Sequence, residues 1–291
     1  MNVSSVPQLS VFRYPGGKTW FVPAARQWVK SIHGVDTFIE PFAGGGIVGL
    51  VMAKEQLARR VILADLDPNV SSVWNTILDS VDYETLSDRI LRFQMDPNDL
   101  GATWERINEA KAIGFAEGSS TLDRAFATIL ANRTNYGGII ASGGGKLKSG
   151  EGGKGPLSRW YPSTLAERIH VIQALSGCIT YCQANAFSLL NLYADVPDVA
   201  LLLDPPYTVG KKSAGSRLYA FNEVDHEELF RVSSDGFQNV LFTYPDDPAV
   251  MSLAYQYQLD TRKIPMRNTK HTLMEELLVS KDFTWLDTPS V

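Results

Sequence analysis

The chain has 291 residues, 44% hydrophobic and 20% charged, which suits one large α/β domain or one domain carrying a sizeable insertion. Its 27 basic and 32 acidic residues give a net charge of −5, so a polyanionic partner would have to be met by a local basic patch. No apolar run approaches the roughly 20 residues needed to span a bilayer, and the first residues lack a basic stretch followed by an apolar one; a cytoplasmic protein is expected.

In chain order, Phe12-Arg-Tyr-Pro-Gly-Gly-Lys18 places glycines and a lysine ahead of a helical pattern. Such a lysine can neutralise a ligand carboxylate, and a plain turn before a surface helix reads the same way. Short β-branched runs then alternate with helical patterns. Strands are predicted at 36–40, 60–64, 179–182, 199–203 and 239–243, the signature of a parallel, doubly wound sheet. Candidate strands at 257–264 and 273–280 follow closely on each other and predict an antiparallel hairpin closing one edge. Cys178 and Cys182, four apart, are expected to be reduced thiols on one strand face.

Between the first and second strands, Phe38-Ile-Glu-Pro-Phe-Ala-Gly-Gly-Gly-Ile-Val-Gly49 runs through small residues into a helix. Glycines let backbone approach a ligand closely, and the first helical N–H groups line the pocket so formed. The next strand ends in Ala64-Asp-Leu-Asp67. An acid about twenty residues after such a turn commonly binds ribose hydroxyls; Asp65 is assigned that role and Asp67 the cap of the following helix.

The alternation breaks over residues 70–170. Helices are predicted at 69–81, 83–93, 102–116 and 121–132, followed by a loop with nine glycines within 137–155. Residues 133–170 hold six basic side chains (Arg133, Lys146, Lys148, Lys154, Arg159, Arg168) against Glu151 and Glu167, a local +4. A mobile segment ordered by a partner and a solvated linker fit this composition equally.

Leu201-Leu-Leu-Asp-Pro-Pro-Tyr207 is the most informative stretch. A buried strand delivers an acid, two prolines and an aromatic ring to the carboxyl edge of the sheet, where such folds bind ligands. Asp204 and the Pro205 carbonyl can grip the two hydrogens of an exocyclic amine and turn its lone pair out of the ring plane. Pro206 stiffens the rim, and Tyr207 can stack on the base. Neither a metal nor a covalent enzyme intermediate is needed for methyl transfer to such an amine.

These motifs, in this order, resemble the DNA adenine (N6) methyltransferase family, and the likeness spans nearly the whole chain. It implies a Rossmann-like methyltransferase sheet formed by residues 1–69 and 171–291, with a mostly helical target-recognition subdomain inserted at 70–170. It also implies S-adenosylmethionine as cofactor, with S-adenosylhomocysteine as product, and double-stranded DNA as partner, the target adenine being flipped out. Cofactor residues by resemblance are Tyr14, Gly17 and Lys18, then Glu40, Pro41, Phe42, Ala43, Gly44, Gly45 and Gly46. Asp65 and Leu66 follow, then Asn185, Ala186 and Phe187, with Asp204 shared with the reacting amine. Asn185 stands where the family usually carries an acid.

Candidate DNA contacts are Lys211, Lys212 and Arg217 after the tetrapeptide, and Arg133, Lys146, Lys148 and Arg159 from the insert. Arg262, Lys263, Arg267 and Lys270 fit phosphate contact and edge-strand solvation equally. A monomer or weak dimer is expected, with a restriction endonuclease as a possible functional companion. Competing readings are N4-cytosine or RNA adenine methylation, and a non-catalytic DNA-binding module on the same fold.

Overall fold

The computed structural model describes residues 3–13, 17–140, 144–208, 223–267 and 273–286. The chain forms two compact units, one of Met1–Gln8, Gly16–Leu66 and Cys178–Val291, the other of Leu9–Pro15 and Asp67–Gly177.

The first unit holds a seven-stranded sheet: β1 (Thr37–Glu40), β2 (Arg60–Asp65), β3 (Ile179–Gln183), β4 (Val199–Leu203), β5 (Asn239–Pro245), β6 (Asp260–Arg267) and β7 (Leu273–Ser280). Their spatial order is β3-β2-β1-β4-β5-β7-β6. The first five are mutually parallel, whereas β7 runs antiparallel to both β5 and β6. This is a doubly wound, Rossmann-like α/β sheet whose edge is closed by the β6–β7 hairpin. It is the later strand of the hairpin, β7, that pairs with β5. The hairpin begins at Asp260 rather than 257 because the last helix runs to Gln256 and Gln258 takes a left-handed conformation that ends it.

Helices α1 (Val22–Ser31), α2 (Ile47–Lys54), α8 (Ala186–Tyr193), α9 (His226–Gly236) and α10 (Pro248–Gln256) belong to this unit; α3 (Pro68–Leu78), α4 (Asp82–Arg92), α5 (Leu100–Gly114), α6 (Thr121–Thr134) and α7 (Pro162–Gln173) make up the other. Ile39, Leu201, Leu203, Val240 and Phe242 pack on one sheet face with Leu189 and Leu190 of α8 and Leu229 and Phe230 of α9. Helix α2 covers the opposite face, against β1 and β2. Strand β4 is buried throughout, which is why its sequence is a continuous apolar run rather than an alternation.

The chain moves from β1 outward through β2 to β3, then returns to β4 on the other side of β1. The topological switch point therefore lies between β1 and β4, and the crevice outside their carboxyl ends is where sheets of this kind bind ligands.

In the second unit α6 is central: every residue from Ala125 to Thr134 is buried, against α3, α4 and α5. Leu9–Pro15 joins this unit although the sequence pattern groups it with the sheet. The side chain of Asn132 clamps Arg13, accepting from its N–H at 2.8 Å and donating to its carbonyl at 3.1 Å. Arg168 donates to the carbonyl of Ser10 in the same segment. The Gly-rich stretch is described from Gly144 onward as short turns and 3-10 segments, with Lys146 bridged to Asn135. Gly150, Gly152, Gly153 and Gly155 there all take positive φ, which accounts for the density of glycine. Among the described residues no helix is long and apolar enough to cross a membrane.

Gly49 sets how closely α2 lies on the sheet: a Cβ there would meet Leu63 Cδ2 at 2.5 Å, Glu40 Oε2 at 3.0 Å and Val61 Cγ1 at 3.1 Å. Gly49→Ala is therefore expected to destabilise the protein by about 1–3 kcal/mol, read as a lower urea midpoint with an unchanged slope.

Candidate active site

Two turns meet the carboxyl edge of the sheet at the switch point. After β1, Ala43 N–H donates to the Ala64 carbonyl at 2.8 Å and Gly46 N–H closes back on the Ala43 carbonyl at 2.7 Å. Gly44 (φ 48°) and Gly46 (φ 57°) occupy the left-handed region, with Gly46 as the residue from which α2 starts. Asp65, at the end of β2, accepts from Gly44 N–H at 3.0 Å, so the acid expected to bind ribose also braces the turn. Asp67 caps α3 through Asn69 N–H, as its position suggests.

Glu40 ends β1. Its buried carboxyl accepts from Gly49 N–H at 2.9 Å. Burial pushes it up to about 8, and the nearby Asp204 charge adds to the rise; the Gly49 hydrogen bond and the Lys18 ammonium oppose it. Glu40 is therefore largely protonated at neutral pH.

After β4, Asp204 is the focus of a compact polar cluster. Its Oδ1 accepts from Lys18 Nζ at 2.8 Å and from Thr243 Oγ1 at 2.8 Å, and lies 2.9 Å from the Tyr207 hydroxyl. Lys18 Nζ also donates to the Tyr207 hydroxyl at 2.9 Å and lies 3.5 Å from Glu276 Oε1. The Tyr207 hydroxyl is 2.6 Å from that same Glu276 oxygen. Lys18 and Glu276 are buried, whereas Asp204 is partly open to solvent. Burial alone would lower the Lys18 ammonium, but Asp204 and Glu276 outweigh it and hold the pKa above the ordinary value. Burial raises Glu276 and, more strongly, the Tyr207 phenol. Among the described residues no hydrogen bond or ion pair closes on the second oxygen of Asp204, Oδ2.

Below the tetrapeptide lies an aromatic bed. Tyr207 leans on Tyr244 with ring centroids 5.9 Å apart, and Tyr244 packs on Phe230 and Phe242. His226 ties the two together, one ring nitrogen 2.9 Å from Thr208 Oγ1 and the other 2.7 Å from the Tyr244 hydroxyl. Burial lowers this imidazole to about 4, so it is neutral at pH 7 and offers one donor and one acceptor to the two hydroxyls.

A glycine turn braced by an acid, set beside an Asp-Pro-Pro-Tyr rim at the switch point, can be compared with known families. The model of the D12 class N6 adenine-specific DNA methyltransferases matches residues 14–288. The chain belongs to that family. It is accordingly an adenine-specific DNA methyltransferase by class. No curated protein matches it at the sequence level. Among solved structures it is similar to the rRNA methyltransferase aviRa from Streptomyces viridochromogenes (16% identity, TM-score 0.40, covering 97% of this chain and 93% of that one). It is also similar to a SAM-dependent methyltransferase from Agrobacterium tumefaciens (10% identity, TM-score 0.40, covering 90% of this chain and 60% of that one).

For this D12 methyltransferase, Lys18, Glu40, residues 41–46, Asp65, Leu66 and Asp204–Tyr207 all lie in the sheet unit, the turn residues and the tetrapeptide at the ends of neighbouring strands. Gly17 immediately precedes the short 3-10 turn Lys18–Trp20. Asn185 follows β3 at the same edge, but its side-chain Oδ1 accepts from Phe187 N–H and so caps α8. Ala186 is buried, and Phe187 packs against the core.

The insert gives a mixed outcome. Arg133 was expected at a DNA groove; it is instead buried on α6 and donates to the carbonyl of Val11. Its position on the fully buried stretch of the helix excludes a groove contact. Lys148 is exposed, as is Lys146, whose ammonium sits 5.3 Å from the centre of the Trp104 ring. Arg159 is half-buried, and its Nε and Nη1 have no hydrogen-bond partner among the described residues. Tyr14, Lys211, Lys212, Arg217 and Lys270 lie outside the described residues.

Thr243, His226 and Glu276 escaped the sequence reading. One signal was available for Glu276: two adjacent acids in an apolar strand cannot both face solvent, because neighbours in a strand point to opposite faces.

His226 should make the enzyme acid-sensitive. Its folded pKa is depressed, so the unfolded chain takes up the proton first, and stability falls as pH drops from about 6.5 toward 4. Thermal melts of His226→Gln should show a flatter loss over that window than the wild type; parallel curves would assign the acid limb to another group.

Proposed function

We propose that this enzyme methylates N6 of an adenine flipped out of double-stranded DNA, by direct in-line attack of the amine on the methyl group of S-adenosylmethionine. The observation that carries this reading is the anchoring of Asp204: its Oδ1 is fixed by Lys18 and Thr243, while Oδ2 has no hydrogen bond among the described residues. A carboxylate anchored through one oxygen presents the other as a rigid acceptor for an amine hydrogen. The Pro205 carbonyl takes the second hydrogen, and the lone pair is turned out of the purine plane. The amine sheds one proton on methylation, and Asp204 Oδ2 is placed to receive it. The Tyr207 ring, held on Tyr244, offers a preset surface for stacking the extruded base, a contact worth roughly 1–3 kcal/mol.

The family implies S-adenosylmethionine, which supplies a methyl group activated by its sulfonium. The residues present suit such a group. The glycine turn leaves a cradle free of side chains at Gly44–Gly46, Asp65 stands at its edge for a ribose, and Glu40 offers a buried carboxyl near a cationic centre. Lys18 is committed to Asp204, which speaks for a role in holding the acid rather than in meeting the cofactor's carboxylate.

For DNA we favour Arg159 and Lys148 on the insert. Arg159 is half-buried and stands in the positive field of Arg13, offset by Glu151, Tyr136 and Tyr161.

Asp204→Ala should abolish transfer of labelled methyl groups to DNA while leaving S-adenosylmethionine binding, measured calorimetrically, within a few-fold; retained transfer would overturn the role given to the acid. Replacing Arg159 and Lys148 by Ala should lower the slope of log affinity against log salt by about 1 for each phosphate contact removed. An unchanged slope would move DNA contact elsewhere.

A further inference from the structure

Glu276 has no part in the reaction as set out above, yet it is the most buried carboxylate touching the tetrapeptide. It enters from β7, opposite Pro245 of β5 and Ile264 of β6, and is 6% exposed. A carboxylate withdrawn from water costs several kcal/mol unless its lone pairs are met by good donors. Its donors are the Tyr207 hydroxyl at 2.6 Å and, at longer range, Lys18 at 3.5 Å.

The phenol has one proton and two carboxylates within reach, Glu276 at 2.6 Å and Asp204 at 2.9 Å. Lys18 approaches the same hydroxyl at 2.9 Å as a donor and so fills one of its lone pairs. If the proton points to Glu276, every group is matched: Asp204 Oδ1 receives Lys18 and Thr243, the phenol oxygen receives Lys18, and Glu276 receives the phenol. If it points to Asp204, three donors crowd one oxygen and the buried Glu276 keeps only the long contact to Lys18. The first arrangement satisfies the buried acid, and its oxygen–oxygen distance is the shorter, in the range of a charge-assisted O–H···O hydrogen bond.

We infer that Glu276 is a positioning residue that fixes the direction of the Tyr207 hydroxyl, drawing its proton away from Asp204 so that Asp204 keeps the electron density with which it grips the amine. The inference rests on the reading of Asp204 as the amine's acceptor. A glutamine at 276 removes the charge that holds the arrangement. Whether its amide oxygen or nitrogen faces the phenol, the charged acceptor is gone, the phenol proton shifts toward Asp204, and Oδ2 becomes a weaker acceptor.

Two measurements test this. Glu276→Gln should lower kcat about tenfold while KM for DNA and for S-adenosylmethionine stay within about twofold. In a Tyr207→Phe background the same change should cost less than twofold, because the proton it redirects is gone. Losses that simply multiply would make the role of Glu276 structural and overturn the inference. Independently of activity, the downfield proton resonance of the hydroxyl should be present in the wild type, absent from Tyr207→Phe and retained in Asp204→Asn. A resonance missing from the wild type, or lost in Asp204→Asn, overturns the inference; the wild-type and Asp204→Asn spectra decide it even where Glu276→Gln fails to fold. Absence of DNA methylation by the wild type would instead remove the proposed function, leaving the proton's direction to the spectra.

Discussion

One buried ammonium organises the catalytic rim. Lys18 stands between Asp204 and Glu276 and opposes the rise that burial imposes on the Glu276 carboxyl. Because it attaches to Oδ1 of Asp204, the acid is both charged and oriented. Removing one partner of such a buried network leaves an uncompensated charge, a loss of order 3–5 kcal/mol. The lysine comes from the turn ahead of α1, the acids from the ends of β4 and from β7, so parts of the chain far apart in sequence must be in place before the rim has its shape.

The sheet supplies this assembly through its strand order. Parallel β1 and β4 are neighbours but distant in sequence, and their carboxyl ends release two turns side by side: one rich in glycine and stripped of side chains, the other stiffened by Pro205 and Pro206. The first leaves space for a ligand and the second points functional groups across it. The antiparallel hairpin then adds what parallel strands do not, a strand (β7) traversing the edge in the opposite sense and bringing Glu276 beside the end of β5.

Much of this was legible in the residues. The apolar run Val199–Leu203 read as a buried strand and Asp67 before Pro68 as a helix cap, and both are so in the structure. What stayed hidden depends on pairings that period and composition do not encode. Arg133 counted as one more positive charge in a basic stretch, yet α6 carries no exposed face between Ala125 and Thr134, and a helix buried on all sides leaves an arginine no route to solvent. The clamp of Asn132 on Arg13 spans most of the first half of the chain, and no local pattern forecasts it. For Glu276 a strand's alternation shows that it and Glu275 face opposite ways, but not which of them faces in.

The insertion between β2 and β3 also bears on the order in which the protein assembles. These strands pair in register from Val61↔Ile179 to Asp65↔Gln183, although the whole of α3 to α7 lies between them in sequence. Drawing together the ends of a loose segment of that length costs on the order of 4 kcal/mol in chain entropy, comparable with all that five cross-strand pairs return. Prior folding of the intervening helices shortens the effective tether. Strand β3, at the outer border of the sheet, thus docks at a lower entropic cost once those helices have folded, and it covers an edge of β2 that would otherwise be open to pairing with another chain.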